Sequence, residues 1–245
     1  MKQGLFLIRE HKKIARDMYQ MTLAGDASAI TAPGQFINIK LEGNYLRRPI
    51  SVCDYSLEDI LILYKVVGKG TAQMAKMKPG QTLDCLTGLG NGFSTKESGP
   101  NPLLVGGGAG VPPLYRLAKD LIAQGKRVSA VLGFASREDL FYERELEQLG
   151  VTVSVATADG SYGTAGVVTD VPLTGYSYCY ACGPVPMLQA VAESTACSGQ
   201  FSFEERMGCG FGACMGCSCK TLYGNKRICK EGPVLKKEEI IWEQK

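Results

Sequence analysis

Leu104-Val105-Gly106-Gly107-Gly108-Ala109-Gly110-Val111-Pro112-Pro113 decides how the middle of this chain folds. The stretch opens on apolar residues suited to a strand, passes through glycines, and ends on two prolines where a helix would begin. Proline is at home in a first helical turn, where its missing N–H leaves nothing unpaired. Strand, glycine turn and helix in that order let a dinucleotide pyrophosphate approach the backbone and sit at the positive end of the helix. Gly107, Gly108 and Gly110 are the candidate contacts. Val111 stands where a strict G-x-G-x-x-G begun at Gly106 would need its third glycine, so a purely structural glycine turn stays open.

Downstream the hydrophobic period alternates. Pro112–Gln124 reads as a helix with Leu114, Leu117, Ala118 and Leu121 on one face, Arg127–Phe134 as a strand, Leu140–Leu149 as a helix and Val151–Thr157 as a strand. Gly166–Val171 fits one helical turn, Tyr176–Cys182 a strand and Pro184–Ser194 a helix. Such alternation predicts an open parallel sheet with helices on both faces. Ligands of these sheets bind beyond the carboxyl ends of the strands, which makes Cys182, Gly183 and Pro184 candidates beside the glycine loop; a merely buried cysteine is the alternative for Cys182.

Upstream the pattern is all-β. Leu5–Arg9, Ala15–Ala24, Gln35–Leu41, Arg48–Asp54, Ile60–Val67 and Thr82–Leu86 read as strands, interrupted by a short helix over Thr71–Met77. Six short strands at this spacing suggest a small barrel. The expected division is therefore a barrel over 1–97, an α/β domain over 98–200 and a small third domain over 201–245 that ends in a charged tail, Lys236–Lys245.

Composition excludes several classes. A net charge of +3 gives no basis for nucleic-acid binding, and no apolar run is long enough to span a membrane. The N-terminus, MKQGLFLIREHKK, reads as a first strand, and ten cysteines without an export signal fit a reducing cytoplasm. The single histidine, His11, reads as a solvated surface residue, so acid–base chemistry centred on histidine has no support and no side chain is assigned as catalytic.

Those cysteines concentrate in E-R-M-G-C-G-F-G-A-C-M-G-C-S-C-K, followed by R-I-C. Cys209, Cys214, Cys217 and Cys229 follow C-x4-C-x2-C with a fourth cysteine eleven residues on, the spacing of plant-type [2Fe–2S] sites. The interleaved glycines free the backbone to curl and to aim N–H groups at anionic sulfur. A four-thiolate zinc site is the rival. Cys219 reads as a bystander, and Phe211 and Met215 either face a partner or pack around the loop. In the barrel, Arg48-Pro49-Ile50-Ser51 can set a guanidinium on a pyrophosphate and a hydroxyl on a flavin. Gly70-Thr71, opening a helix, suits phosphate.

In this order the elements resemble the ferredoxin–NADP reductase superfamily, and the cysteine block with R-R-P-I-S and G-K-G-T is similar to its branch of electron-transfer subunits of type B dihydroorotate dehydrogenases. The resemblance covers essentially the whole chain. It implies a multi-domain α+β and α/β architecture: an N-terminal FAD-binding antiparallel β-barrel, a central Rossmann-like parallel-sheet NAD domain and a C-terminal small [2Fe–2S] domain. It implies FAD contacts from Arg48, Pro49, Ile50, Ser51, Leu63, Tyr64, Lys65, Gly70 and Thr71, and cluster ligation by Cys209, Cys214, Cys217 and Cys229. The superfamily's R-x-Y-S carries an aromatic where Ile50 stands, so flavin stacking by that residue is lost.

The activity implied is that of a cytoplasmic oxidoreductase subunit serving pyrimidine biosynthesis. It would relay electrons from the FMN of a separate dihydroorotate-oxidising catalytic subunit, in a heterotetramer of two of each, through the cluster and FAD to NAD+. Arg137 against Glu138 or Asp139 leaves NAD and NADP open on the residues, and the resemblance favours NAD. The rivals are the small subunit of an NAD(P)H-dependent ferredoxin or sulfide oxidoreductase, whose group commonly has Asp where Cys209 stands, and a zinc-stapled nucleotide-binding module without redox activity.

Overall fold

The computed structural model describes residues 1–242. Six antiparallel strands close the expected barrel in the order β1-β2-β5-β4-β3-β6. They are β1 (Lys2–Ala15), β2 (Met18–Ala24), β3 (Phe36–Lys40), β4 (Arg48–Tyr55), β5 (Asp59–Lys65) and β6 (Thr82–Leu89), with helix α1 (Lys69–Met74) between the last two. The interior holds Phe6, Ile8, Met21, Leu23, Ile37, Ile39, Ile60 and Ile62, which alternate along their strands with residues facing outward. The first hairpin differs from expectation. Ala15–Ala24 is not one strand: the chain turns at Arg16-Asp17, where Asp17 adopts a left-handed φ of 57°, and β1 is far longer than Leu5–Arg9.

The second domain is the parallel sheet foreseen, enlarged at both edges. Its strands are β7 (Pro102–Gly107), β8 (Ser129–Phe134), β9 (Thr152–Thr157), the two-residue β10 (Thr164–Ala165), β11 (Tyr178–Cys182) and β12 (Gly199–Ser202). Helices α2 (Pro112–Ala123), α3 (Glu143–Gln148) and α4 (Val185–Ser194) cover it. α3 is shorter than the expected Leu140–Leu149, because Tyr142 takes a left-handed φ of 64° and tucks with Phe141 beneath Phe134 and Tyr115. A hairpin of β13 (Ser218–Thr221) and β14 (Gly224–Arg227) follows the cysteine loop. The chain then returns to the sheet as β15 (Val234–Lys236), antiparallel to β12. The sheet order is β10-β9-β8-β7-β11-β12-β15. The expected charged tail is thus partly a strand, and its residues 243–245 lie outside the described residues.

One apolar core joins the two domains. Met18, Cys53, Leu63 and Phe93 of the barrel pack with Leu104, Leu114, Leu117 and Leu121 of the sheet and α2. The same junction carries charge. Arg116 of α2 lies 4.1 Å above the Tyr55 ring, donates to the Tyr55 carbonyl at 2.6 Å and pairs with Asp54 at 3.3 Å, and Lys119 reaches Asp54 at 2.6 Å. No helix among the described residues is long and apolar enough to cross a membrane.

Candidate functional site

Two clefts meet at the domain junction. The first, about 560 Å³, opens beyond the carboxyl ends of β7, β8 and β11 and is lined by Gly107, Gly108, Gly110, Gly183, Pro184 and Met187 among others. Gly110 is required by close approach: a Cβ there would run into the Cys182 carbonyl. Cys182 itself lines neither cleft; it is 2% exposed, and burial pushes its thiol up to about 12. The residues expected to choose between NAD and NADP are also absent from the cleft wall. Asp139 and Glu138 are held by Arg16 from the barrel, and Arg137 lies over the Tyr162 ring at 5.7 Å.

The second cleft, about 300 Å³, lies against β4 and β5. Arg48, Pro49, Ile50, Ser51, Leu63, Tyr64, Lys65 and Thr71 line it, eight of the nine barrel residues expected at a flavin. Gly70 lies behind this wall, where a Cβ would run into the Arg48 side chain. Thr71 Oγ1 accepts from the Val67 and Gly68 N–H groups at 3.0 and 3.2 Å and fixes the loop that enters α1.

His11 is not a solvated surface residue. It is half-buried on β1, with Nδ1 2.8 Å from the Met77 carbonyl and Nε2 2.8 Å from the Tyr64 hydroxyl. A carbonyl only accepts, so Nδ1 carries a proton, and in the neutral ring Nε2 accepts from Tyr64. The histidine braces a tyrosine of the second cleft. Its neighbours Lys12 and Lys13 are exposed, which masked it in the sequence.

Lys65, Ala109 and Glu204 line both clefts, so a ligand in one touches the walls of the other. Glu204 is exposed at the cleft mouth, and partial desolvation by the protein around it raises its carboxyl above the ordinary value. Met207, also in the second cleft, packs on the cluster core that contains Cys217 and Cys229. Sequence reading had not assigned Glu204, Met207 or Phe36 to the site; only their nearness to the cysteine block or to a strand could have pointed to them.

The cysteine loop holds its thiols in two pairs. Cys209 and Cys214 each donate a backbone N–H to the other's sulfur at 3.4 Å, and Ala213 N–H adds a third at 3.2 Å. Cys229 N–H reaches Cys217 Sγ at 3.4 Å. Desolvation works against ionising Cys209, but the backbone N–H groups of Phe211, Cys214 and Ala213 outweigh it and bring the thiol down to about 6. Cys217 and Cys229 are buried with Phe36 and Leu89 of the barrel, whereas Cys214 is exposed. Cys219 stands outside both pairs, half-buried on β13. Phe211 and Met215 are 45% and 53% exposed and therefore free to meet another surface.

Among the described residues no three His, Cys, Asp or Glu side chains converge as a ligand set for one metal ion. Two thiol pairs with N–H groups aimed at sulfur are what a two-iron, two-sulfide group asks for, with two thiolates per iron. A single tetrahedral zinc would draw all four to one point.

Two family profiles match, "Iron-sulfur cluster binding domain of dihydroorotate dehydrogenase B" over residues 204–241 and "Oxidoreductase NAD-binding domain" over residues 104–193. The chain is 43% identical to the dihydroorotate dehydrogenase B (NAD(+)) electron transfer subunit of Geobacillus sp. strain WCH70, over 98% of this chain and 99% of that one. It is 45% identical to the subunit of the same name from Geobacillus thermodenitrificans, over 94% and 95%. Among solved structures, a chain of the NADH-dependent reduced ferredoxin-NADP oxidoreductase superposes with a TM-score of 0.88 at 31% identity, covering 98% of this chain and 90% of that one. The flavohem-like FAD/NAD binding domain of nitric oxide dioxygenase from Vibrio cholerae shares the fold at a TM-score of 0.67 and 22% identity, over 78% and 91%.

Proposed function

The chain belongs to the family of dihydroorotate dehydrogenase B (NAD(+)) electron transfer subunits, and from that premise we propose that its three seats work as one relay. Electrons enter at the cysteine loop of residues 201–245, cross the barrel of residues 1–97 and leave at the nucleotide cleft of residues 98–200. The observation that carries this reading is the shared wall of the two clefts at Lys65, Ala109 and Glu204, with Met207 linking the flavin cleft to the cysteine core. Bound FAD supplies the exchange between one-electron traffic at an iron–sulfur cluster and hydride chemistry at a nicotinamide.

The chain's own residues bind and orient. Arg48 and the first turn of α1, which begins at Lys69 and holds Gly70 and Thr71, would take the flavin pyrophosphate. Pro49, Ile50, Ser51, Leu63, Tyr64 and Lys65 form the bed beside it. The nucleotide pyrophosphate would be held by the loop of Gly107, Gly108 and Gly110, with Gly183 and Pro184 lining the same cleft. Cys209, Cys214, Cys217 and Cys229 hold the [2Fe–2S] cluster. No side chain need move a proton for hydride transfer, and Cys182, walled off from both clefts, takes no part in it.

The partner in this reading is an FMN-bearing catalytic subunit that oxidises dihydroorotate, in a cytoplasmic complex of two subunits of each kind. Exposed Phe211 and Met215 beside the cysteine loop offer it apolar contact. A second reading, a ferredoxin or sulfide oxidoreductase subunit, is favoured by the 31% identity to the ferredoxin-NADP oxidoreductase chain; the higher identity to the dihydroorotate dehydrogenase subunits and the cysteine at position 209 weigh against it.

Co-purification with a dihydroorotate-oxidising catalytic subunit from the same organism, followed by assay of dihydroorotate-dependent NAD+ reduction, tests the assignment. The complex is expected to turn over dihydroorotate, and this chain alone to oxidise NADH with an artificial acceptor but to leave dihydroorotate untouched. A complex active with sulfide or ferredoxin and inert to dihydroorotate refutes it, as does a colourless protein carrying zinc.

A further inference from the structure

Strand β3 presents two faces to two different jobs. Ile37 and Ile39 point into the barrel core, so Phe36 and Asn38 point out of it, and both meet the cysteine segment. Phe36 lines the flavin cleft and packs in the core that contains Cys217 and Cys229. Asn38, 1% exposed, donates its side-chain amide to the Cys209 carbonyl at 3.2 Å. On the opposite side β3 pairs with β4, placing Phe36 across from Ser51 and Asn38 across from Pro49. Both of those partners line the flavin cleft.

Asn38 is expensive to keep. Its Oδ1 is buried without a hydrogen-bond partner among the described residues, and such a group in a folded interior asks for a reason. The surroundings are built around it nonetheless. Gly210, next to Cys209, has a φ of +76° and no room for a side chain, since a Cβ would run into the Asn38 amide. Arg47 steadies the strand by donating to the Asn38 carbonyl at 3.3 Å and to Asp84 at 3.0 Å.

We infer that β3 is the coupling element between the cluster and the flavin, and that Asn38 is a positioning residue that locks the Cys209 end of the cluster to the flavin bed. Its amide sets where Cys209 sits relative to Pro49 one strand away. Phe36 sets the spacing on the Cys217/Cys229 side. The unpaired Oδ1 is the stability given up for that placement. This inference rests on the relay reading above.

Two variants test it in the protein loaded with FAD and cluster. Asn38→Leu removes the donor and the unpaired acceptor together, so the bond lost to the Cys209 carbonyl is offset by removal of the buried unpaired oxygen. Asn38→Asp keeps the shape but replaces the amide donor with a buried carboxyl oxygen facing the Cys209 carbonyl, and so adds charge as well as removing the donor. Stopped-flow reduction by NADH is followed at flavin and cluster absorbance, with EPR of the dithionite-reduced cluster. In both variants flavin content and the flavin-reduction phase are expected to match the parent. The cluster-reduction phase slows about tenfold, on the scale that small misplacements impose on positioned reactants, and the EPR line shape changes.

Variants with the parent's cluster phase and EPR spectrum overturn the inference. So does loss of flavin from both, since the role claimed leaves the flavin bed intact. A parent protein with no iron–sulfur EPR signal would instead sink the relay reading itself, so the two failures are distinguishable.

Discussion

Asp54→Asn tests whether the charge cluster at the domain junction sets the approach of nicotinamide to flavin. Strand β4 begins at the flavin bed, Arg48–Ser51, and ends at Asp54-Tyr55, where it grips helix α2. That helix starts at the nucleotide loop. One strand and one helix therefore connect the two ligand beds, and Asp54 joins them. Its side chain is 19% exposed, against 24% for Arg116 and 39% for Lys119, which places the cluster between two regimes. Exposed pairs contribute about 0–1 kcal/mol, and breaking a fully buried pair costs about 3–5 kcal/mol.

After substitution Arg116 keeps Asp120 at 2.9 Å, the Tyr55 carbonyl and the Tyr55 ring, while Lys119 can turn to solvent. The loss is then about 1.5–3 kcal/mol, the range of a hydrogen bond to a charged group, or roughly 3–6 °C in melting temperature for a chain of this size. The difference should shrink at about 1 M salt, where the Debye length is about 3 Å. With α2 loosened, flavin content is unchanged and the rate of flavin reduction by NADH falls about tenfold. Equal melting temperatures at low salt together with a parental rate of flavin reduction would show that the cluster is not what sets this approach.

Gly110→Ala places a methyl group against the Cys182 backbone, which cannot move aside as a side chain would; about 1–3 kcal/mol of overpacking and a raised KM for NADH are expected, with flavin content unaltered. Cys229→Ser removes one member of the buried thiol pair, and iron analysis should fall to background while FAD absorbance persists. Glu204→Gln reports on desolvation of an exposed carboxyl at the cleft mouth, so its effect on stability is small. The carboxyl is lifted above its ordinary value in the folded chain, so the folded state binds the proton more tightly than the unfolded chain, and stability declines as pH rises from the ordinary glutamate value through the lifted one. The variant should melt higher than the parent at neutral pH and no higher at about pH 4, below the ordinary glutamate value; equal melting temperatures at neutral pH would refute the shift.

Local patterns were legible and distant pairings were not. The glycine loop, the apolar face of α2 and the cysteine spacing each lie within a short window, and the structure sets them on a strand end, a buried helix face and a pair of thiol contacts. The turn between β1 and β2 was invisible because it uses Arg16-Asp17 with no glycine or proline, relying on the tolerance of aspartate for the left-handed region. β15, Val234–Lys236 at the edge of the charged tail, is too short to signal itself, and its strand character comes from pairing with β12, more than thirty residues earlier. The acidic residues after β8 looked free to meet a ribose, yet Arg16 claims them from over a hundred residues away. His11 failed as a surface residue for the same reason: Met77 and Tyr64 come to it only when the barrel closes.

What the structure adds to the motifs is a shared ruler. The residues proposed to hold flavin lie on β4, β5 and α1, those that meet the cysteine loop lie on β3, and the clamp on helix α2 lies at the end of β4. Strands paired in a ladder keep a spacing near 4.8 Å and cannot slip by one residue without turning their buried side chains outward. The separations between the three seats are thereby tied to the register of β3 against β4, Phe36 to Ser51 and Asn38 to Pro49. Loops can supply ligands, but a relay needs distances that do not drift. Paired strands hold such distances, and so substitution at Asn38, on the outward face of β3, should alter transfer rates before it alters cofactor content.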